Sequence, residues 1–188
     1  MKMGKTHFFI SILCLIFVTG CASTSGSVSD RRAAINSMHS NVLTNLYKEK
    51  PSVRQQISSA VGYGVFDNAN VNVILASFGG GYGVVHNRKT GARTYMRMAE
   101  AGVGLGAGVK DFRVVMVFHT EAALNRFVKE GWAFGAQADA AAKAGDKGAA
   151  AGGEATVDNI TIYQMTESGL ALQATIKGTK FWKDAELN

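Results

Sequence analysis

The sequence predicts an α+β domain: a strongly curved, mainly antiparallel, glycine-rich sheet, barrel-like at its limit, with N-terminal helices and one mid-chain helix packed on it. Three observations lead there. Apolar residues recur every three or four positions from residue 31 to residue 61, then switch to short alternating runs separated by Gly, Asn and Asp. Only one later stretch returns to helical spacing, so strands do not alternate with helices as a parallel sheet requires. Gly102, Gly104, Gly106 and Gly108 repeat at period two, which on one strand would strip a single face of side chains and let the sheet curve.

The amino terminus carries Lys2 and Lys5 followed by an apolar run over residues 8–18 interrupted only by Ser11. Such a run is too short to span a bilayer as a helix and reads as a secretory signal peptide covering residues 1–20. Val18-Thr19-Gly20-Cys21 then resembles a lipobox, with Val18 where Leu is more usual, and predicts acylation of Cys21. Each buried methylene contributes about 0.8 kcal/mol, so two or three chains anchor a protein permanently where one does not. Ala22 in place of Asp favours the periplasmic face of an outer membrane. Residues 21–30, rich in Ser and Gly, read as a flexible tether, and residues 31–188 as a single domain.

With Cys14 in the leader and Cys21 acylated, neither of the two cysteines is left for a disulfide. Losing Lys2 and Lys5 lowers the formal charge from +6 to +4. Export makes nucleic acid an unsuitable partner for that mild basicity, and anionic membrane or a cell-wall polymer the compatible one.

Helical spacing of Ile35, Met38, Val42, Leu43, Leu46 and Tyr47 predicts a first helix over residues 31–47 with Asp30 as N-cap. Pro51 ends it and opens a second helix over 52–61, burying Val53, Ile57 and Ala60. Strands are expected at 63–66, 71–78, 81–86, 92–99, 103–109 and 112–119, with a hairpin turn at 87–91 in which Gly91 takes a positive φ. A third helix over 120–131, capped by Thr120 and ended by Gly131, buries Ala123, Leu124, Phe127 and Val128. Residues 134–140 suit a strand of low relief and 143–153 a loop; 156–165 and 170–177 form a last hairpin through 166–169.

Candidate lipid-contacting groups fall in three places. Arg88, Lys89, Arg93 and Arg97 lie on or beside one hairpin, and Arg93, Tyr95 and Arg97 share a face by alternation. The four glycines from Gly102 to Gly108 could form a groove for an apolar chain or serve curvature alone. Lys180, Trp182 and Lys183, with Phe181, set aromatics between cations as at a bilayer interface, or pin the terminus to the core. The glycine spacing does not fit a dinucleotide fingerprint, so no cofactor is expected. His39, His86 and His119 are isolated in sequence, with no metal-ligand spacing and no nucleophile elbow, so no enzyme is expected.

The runs 60–66, 79–85 and 102–108, then 114–118, 124–127 and 135–139, resemble the SYLF family in order and glycine placement over nearly all of residues 31–188. That resemblance implies a lipid-binding, non-enzymatic domain. Eukaryotic members bind phosphoinositides and are linked to actin, while bacterial members are often exported lipoproteins. The chain departs from the pattern at Asp67-Asn68, where many members have Pro, and its first helix is basic only at Arg31, Arg32, Lys48 and Lys50. Phosphoinositide and actin binding therefore do not transfer, leaving membrane phospholipid as the implied partner, with no protein partner named. An envelope scaffold that binds another protein is the alternative.

Overall fold

The computed structural model describes residues 26–73, 76–102, 108–133, 150–151, 154–166, 169–170 and 179–188. The expected signal peptide, Cys21, Gly104, Gly106 and the strand expected at 134–140 lie outside them. The described chain forms helices α1 (Val28–Glu49), α2 (Val53–Ser59) and α3 (Glu121–Glu130) and ten strands. The strands are β1 (Gly62–Val73), β2 (Ala76–Asn87), β3 (Arg93–Gly102), β4 (Gly108–Phe118), β5 (Trp132–Ala133), β6 (Ala150–Ala151), β7 (Glu154–Val157), β8 (Ile160–Thr166), β9 (Gly169–Leu170) and β10 (Thr179–Lys183).

All ten belong to one antiparallel, curled sheet of order β5-β10-β3-β2-β1-β4-β8-β7-β6, with β9 beside β8. The α+β reading of the sequence is therefore correct. β1 lies at the centre, paired to β2 from Gly62↔Asn87 and to β4 from Gly62↔Phe118. Ladder bonds on both sides hold Asp67-Asn68-Ala69-Asn70 extended despite their weak strand preference. Asn68 is buried and donates from Nδ2 to Glu100 Oε2 at 3.0 Å.

Alternation sorts the side chains into two cores. On one face Phe66, Met96, Met98, Met116, Phe118, Ile162 and Phe181 pack under α3, which contributes Ala123, Leu124 and Phe127. On the other Val65, Val84, Tyr95, Val115, Val117 and Tyr163 pack under α1 and α2. No helix among the described residues is long and apolar enough to cross a membrane.

Local chemistry explains where the observed boundaries depart from the sequence reading. α1 begins at Val28, inside the expected tether, because Ser27 and Asp30 form a reciprocal capping box. Ser27 is thus the N-cap and Asp30 its partner: Asp30 N donates to Ser27 Oγ at 3.2 Å and Ser27 N to Asp30 Oδ2 at 3.0 Å. The expected strands 63–66 and 71–78 are replaced by the long strand β1 and the start of β2, with Val73 opposite Ala76. The expected strand 156–165 is broken by Asp158-Asn159, whose φ values of 55° and 61° make the two-residue turn a twisted hairpin needs. Ala150–Ala151, expected in a loop, pairs with β7, and β10 was not anticipated at all. The turn after β2 forms as expected, with Gly91 at φ 71° and Asn87 Oδ1 accepting from the Lys89 and Thr90 amides. Thr120 caps α3 and Gly131 ends it, also as expected.

A candidate lipid cleft beneath the first helix

The first turns of α1 do not lie flat on the sheet. Between them and β2, β3 and β10 opens a cleft of about 730 Å3, lined by Arg31, Ala34 and Ile35 from the helix and by Gly80, Tyr82, Arg97, Ala99, Trp182 and Leu187 opposite. Its floor is a cross-strand row, since Tyr82 stands opposite Arg97 and Arg97 opposite Trp182. Tyr82 at 37% and Trp182 at 36% are exposed although large and apolar. The neighbouring row, Gly80 opposite Ala99, carries almost no side chain, and a Cβ built on Gly80 would meet nothing within 4 Å.

The carboxyl terminus closes one end. Asp184 is buried and accepts from Arg97 Nε at 2.8 Å, from Glu186 N at 2.9 Å and from Leu187 N at 3.2 Å. Burial by itself would raise the Asp184 carboxyl, but these hydrogen bonds and the Arg97 charge outweigh it and hold the group below its ordinary value. The same bond pushes Arg97 up. Arg31 Nη2 meets Glu186 Oε2 at 2.7 Å, and Arg32 donates twice to the Leu187 carbonyl, at 3.0 and 2.8 Å. Asn188 acts as an extra strand residue, its amide accepting from Tyr95 N at 3.0 Å and donating to Tyr95 O at 2.8 Å. These bonds tie the start of α1 to the sheet edge, so the cleft is held open between anchored walls.

The residues singled out in the sequence are separated by the fold. Arg97 and Trp182 reach the cleft. Arg88 bonds the Ser58 and Ala60 carbonyls at the end of α2, and Lys89 pairs with Glu121 of α3 at 2.8 Å. Arg93 donates to Asn36 Oδ1 of α1 at 3.2 Å. Lys180 and Lys183 are exposed on β10, while Phe181 is core. Gly102 ends β3 opposite Ser77 and Gly108 begins β4 opposite Asn72, so these two sit on strands separated by β2 and β1. Gly102 and Gly108 therefore do not share one strand face, because β2 and β1 lie between β3 and β4.

Sequence reasoning missed Arg31, Ile35, Tyr82, Asp184 and Leu187. It also missed a stack in which His39 of α1 lies 4.5 Å from His86 and His86 lies 5.1 Å from Tyr63, ring centroid to centroid. Burial, then the charges of His39 and Arg93, lower His86 to about 4. Burial and Arg93 lower His39 as well.

The described residues thus form an α+β domain, a curled antiparallel sheet with an aromatic-rimmed cleft beneath α1. Residues 99–188 match the family model of Ysc84, described as a Las17-binding protein actin regulator. Over 164 residues the chain is 37% identical to beta cell expansion factor A of Aeromonas veronii, covering 86% of this chain and 60% of that protein. The chain belongs to the SYLF (Ysc84) family.

Proposed function

We propose that this protein is a non-enzymatic bacterial lipoprotein, anchored through Cys21 on the periplasmic face of the outer membrane, whose SYLF domain takes a phospholipid acyl chain into the cleft beneath α1. The observation that carries the reading is the cleft itself. Its volume of about 730 Å3 lies within the range of roughly 300–1,000 Å3 usual for small-molecule pockets. Ile35, Leu187, Tyr82 and Trp182 offer apolar walls. Burying an alkyl chain there gains about 0.8 kcal/mol per methylene, and Tyr82 and Trp182 suit the boundary between acyl chain and headgroup. Arg97, oriented through Nε by Asp184, is placed to meet a phosphate oxygen at the mouth.

Trp182 makes the test direct. In a Trp132→Phe background it is the remaining tryptophan of the two, and titrating palmitate should shift its emission to the blue. Gly80→Leu, whose Cβ would enter open space in the cleft, should abolish the shift. Unchanged Trp182 emission at saturating palmitate would overturn the cleft assignment. Anchoring is tested separately by the mass of the mature amino terminus with and without globomycin, and an unmodified thiol in untreated cells would remove it.

The likeness to beta cell expansion factor A favours a second reading, in which the domain acts on beta cells. Adding purified protein to cultured beta cells tests it, with unchanged proliferation the result against it.

A further inference from the structure

The cleft lies at the start of α1, close in sequence to the cysteine that the lipobox marks for acylation. Among the described residues three large apolar side chains are exposed, Val28, Tyr82 and Trp182. Tyr82 and Trp182 line the cleft. Val28, the first residue of α1, stands three positions before Arg31 and seven before Ile35, which both line it too. That spacing sets the three on one stripe of the helix. Apolar surface therefore runs from the cleft to the point where the preceding chain enters α1.

The charged groups around the cleft are already matched inside the protein. Asp30 accepts from Ser27 N at 3.0 Å and from Ser27 Oγ at 2.7 Å. Arg31 meets Glu186 at 2.7 Å, and Arg97 meets Asp184 at 2.8 Å. An occupant needs no charge of its own, and the gain on entry is that of burying hydrocarbon, about 0.8 kcal/mol per methylene.

Six residues, Ala22 to Ser27, separate Cys21 from Val28. Six residues of extended chain span about 20 Å, while the cleft floor from β2 through β3 to β10 is about 10 Å across at the usual strand spacing. An acyl chain on Cys21 is thus within reach of the cleft in its own molecule. A short tether holds its end at an effective concentration in the millimolar range, which favours the chain's own anchor over a lipid arriving from solution.

Resting on the lipid reading above and on acylation of Cys21, we propose that the cleft receives an acyl chain of the protein's own Cys21 whenever that anchor is outside a bilayer. The chain enters along Val28 and Ile35 and ends between Tyr82 and Trp182. The two occupants exclude one another. A phospholipid chain enters only after the anchor has moved into the membrane, and until then the protein carries part of its hydrocarbon covered.

To test this, cells are fed a palmitate that bears a diazirine, which labels Cys21 and the membrane phospholipids alike. The mature chain is freed of detergent, diluted until native mass spectrometry shows single copies, irradiated and digested. The peptide bearing Cys21 should be joined to the one bearing Tyr82 or Trp182. Gly80→Leu, whose Cβ would enter open space in the cleft, should remove that product with an unchanged melting curve. Lengthening the segment between Cys21 and Ser27 about fourfold, a change outside the folded domain, should lower the effective concentration roughly eightfold and the product with it. Labelled phospholipid on Tyr82 or Trp182 with no link to Cys21 overturns self-occupancy and leaves the lipid reading standing. No adduct on either residue, from the anchor or from added free probe, overturns the cleft reading as well. A product that persists in Gly80→Leu places the acyl chain elsewhere and overturns the proposal. An unacylated Cys21 also overturns it, while the palmitate titration still judges the cleft.

Discussion

The two faces of the sheet are built from the same strands and differ in how completely they are filled. Under α3, Phe127 packs against Phe66, Phe118, Trp132 and Phe181 with ring centroids 5.1–6.0 Å apart. Under α1, the half of the face near Val65, Val84 and Val115 is equally buried, but the half beyond Tyr82 opens into the cleft. β2 shows the contrast within four residues. A Cβ on Gly83 would lie 2.3 Å from both Phe66 Cδ1 and Val65 O, whereas one on Gly80 would meet nothing within 4 Å. Glycine at position 83 is a packing requirement, and at position 80 it leaves space that the fold does not use.

Substitutions can sharpen or break that contrast. Phe127→Ala should cost about 3–5 kcal/mol in urea unfolding, since it empties the centre of a close-packed aromatic group. A loss under about 1 kcal/mol would mean that the α3 face is not closed. Gly83→Val should cost about 1–3 kcal/mol, because backbone as well as side chain must move to admit it. Acid should act on the α1 face through the histidine stack. His86 is held at about 4 against an ordinary 6.5, so the folded state disfavours its protonation. The resulting stability is complete above pH 6.5 and is lost as pH falls from there towards about 4. Because the stack is only half-buried, solvent discounts the linkage to about 1 kcal/mol. His86→Phe should remove this step from the pH dependence of unfolding, and an unaltered profile would show that the stack does not titrate as described. Smallest of all, Gly80→Leu should change stability by less than about 0.5 kcal/mol while abolishing palmitate binding. Equal damage from Gly80→Leu and Gly83→Val would erase the difference between the faces.

Elements whose instructions are local were legible in the sequence. α3 is an example: Thr120 caps it, Gly131 ends it, and Ala123, Leu124 and Phe127 are buried as their spacing implies. The β7–β8 turn was hidden because Asp158-Asn159 lacks glycine and the flanking alternation runs through it without a break. β10 was hidden for a different reason. Lys180-Phe181-Trp182-Lys183 is too short to show a period, and it becomes a strand only because Met96 to Glu100, some 80 residues earlier, offers a free edge. Of the candidate site, Arg97 and Trp182 were found by residue type. Their meeting was not, and neither was the separation of Arg88 and Lys89 from them.

Sequence by itself determined the alternation of apolar and polar positions, the caps and the turn glycines, and through them an antiparallel sheet with helices on it, because these signals act over a few residues. Tertiary structure decided which face each helix covers, how far α1 reaches across the strands, and that Arg31, Tyr82, Arg97, Trp182 and Leu187 surround one space. Such a space depends on long-range register and on where packing stops, and neither is written in the spacing of neighbouring residues.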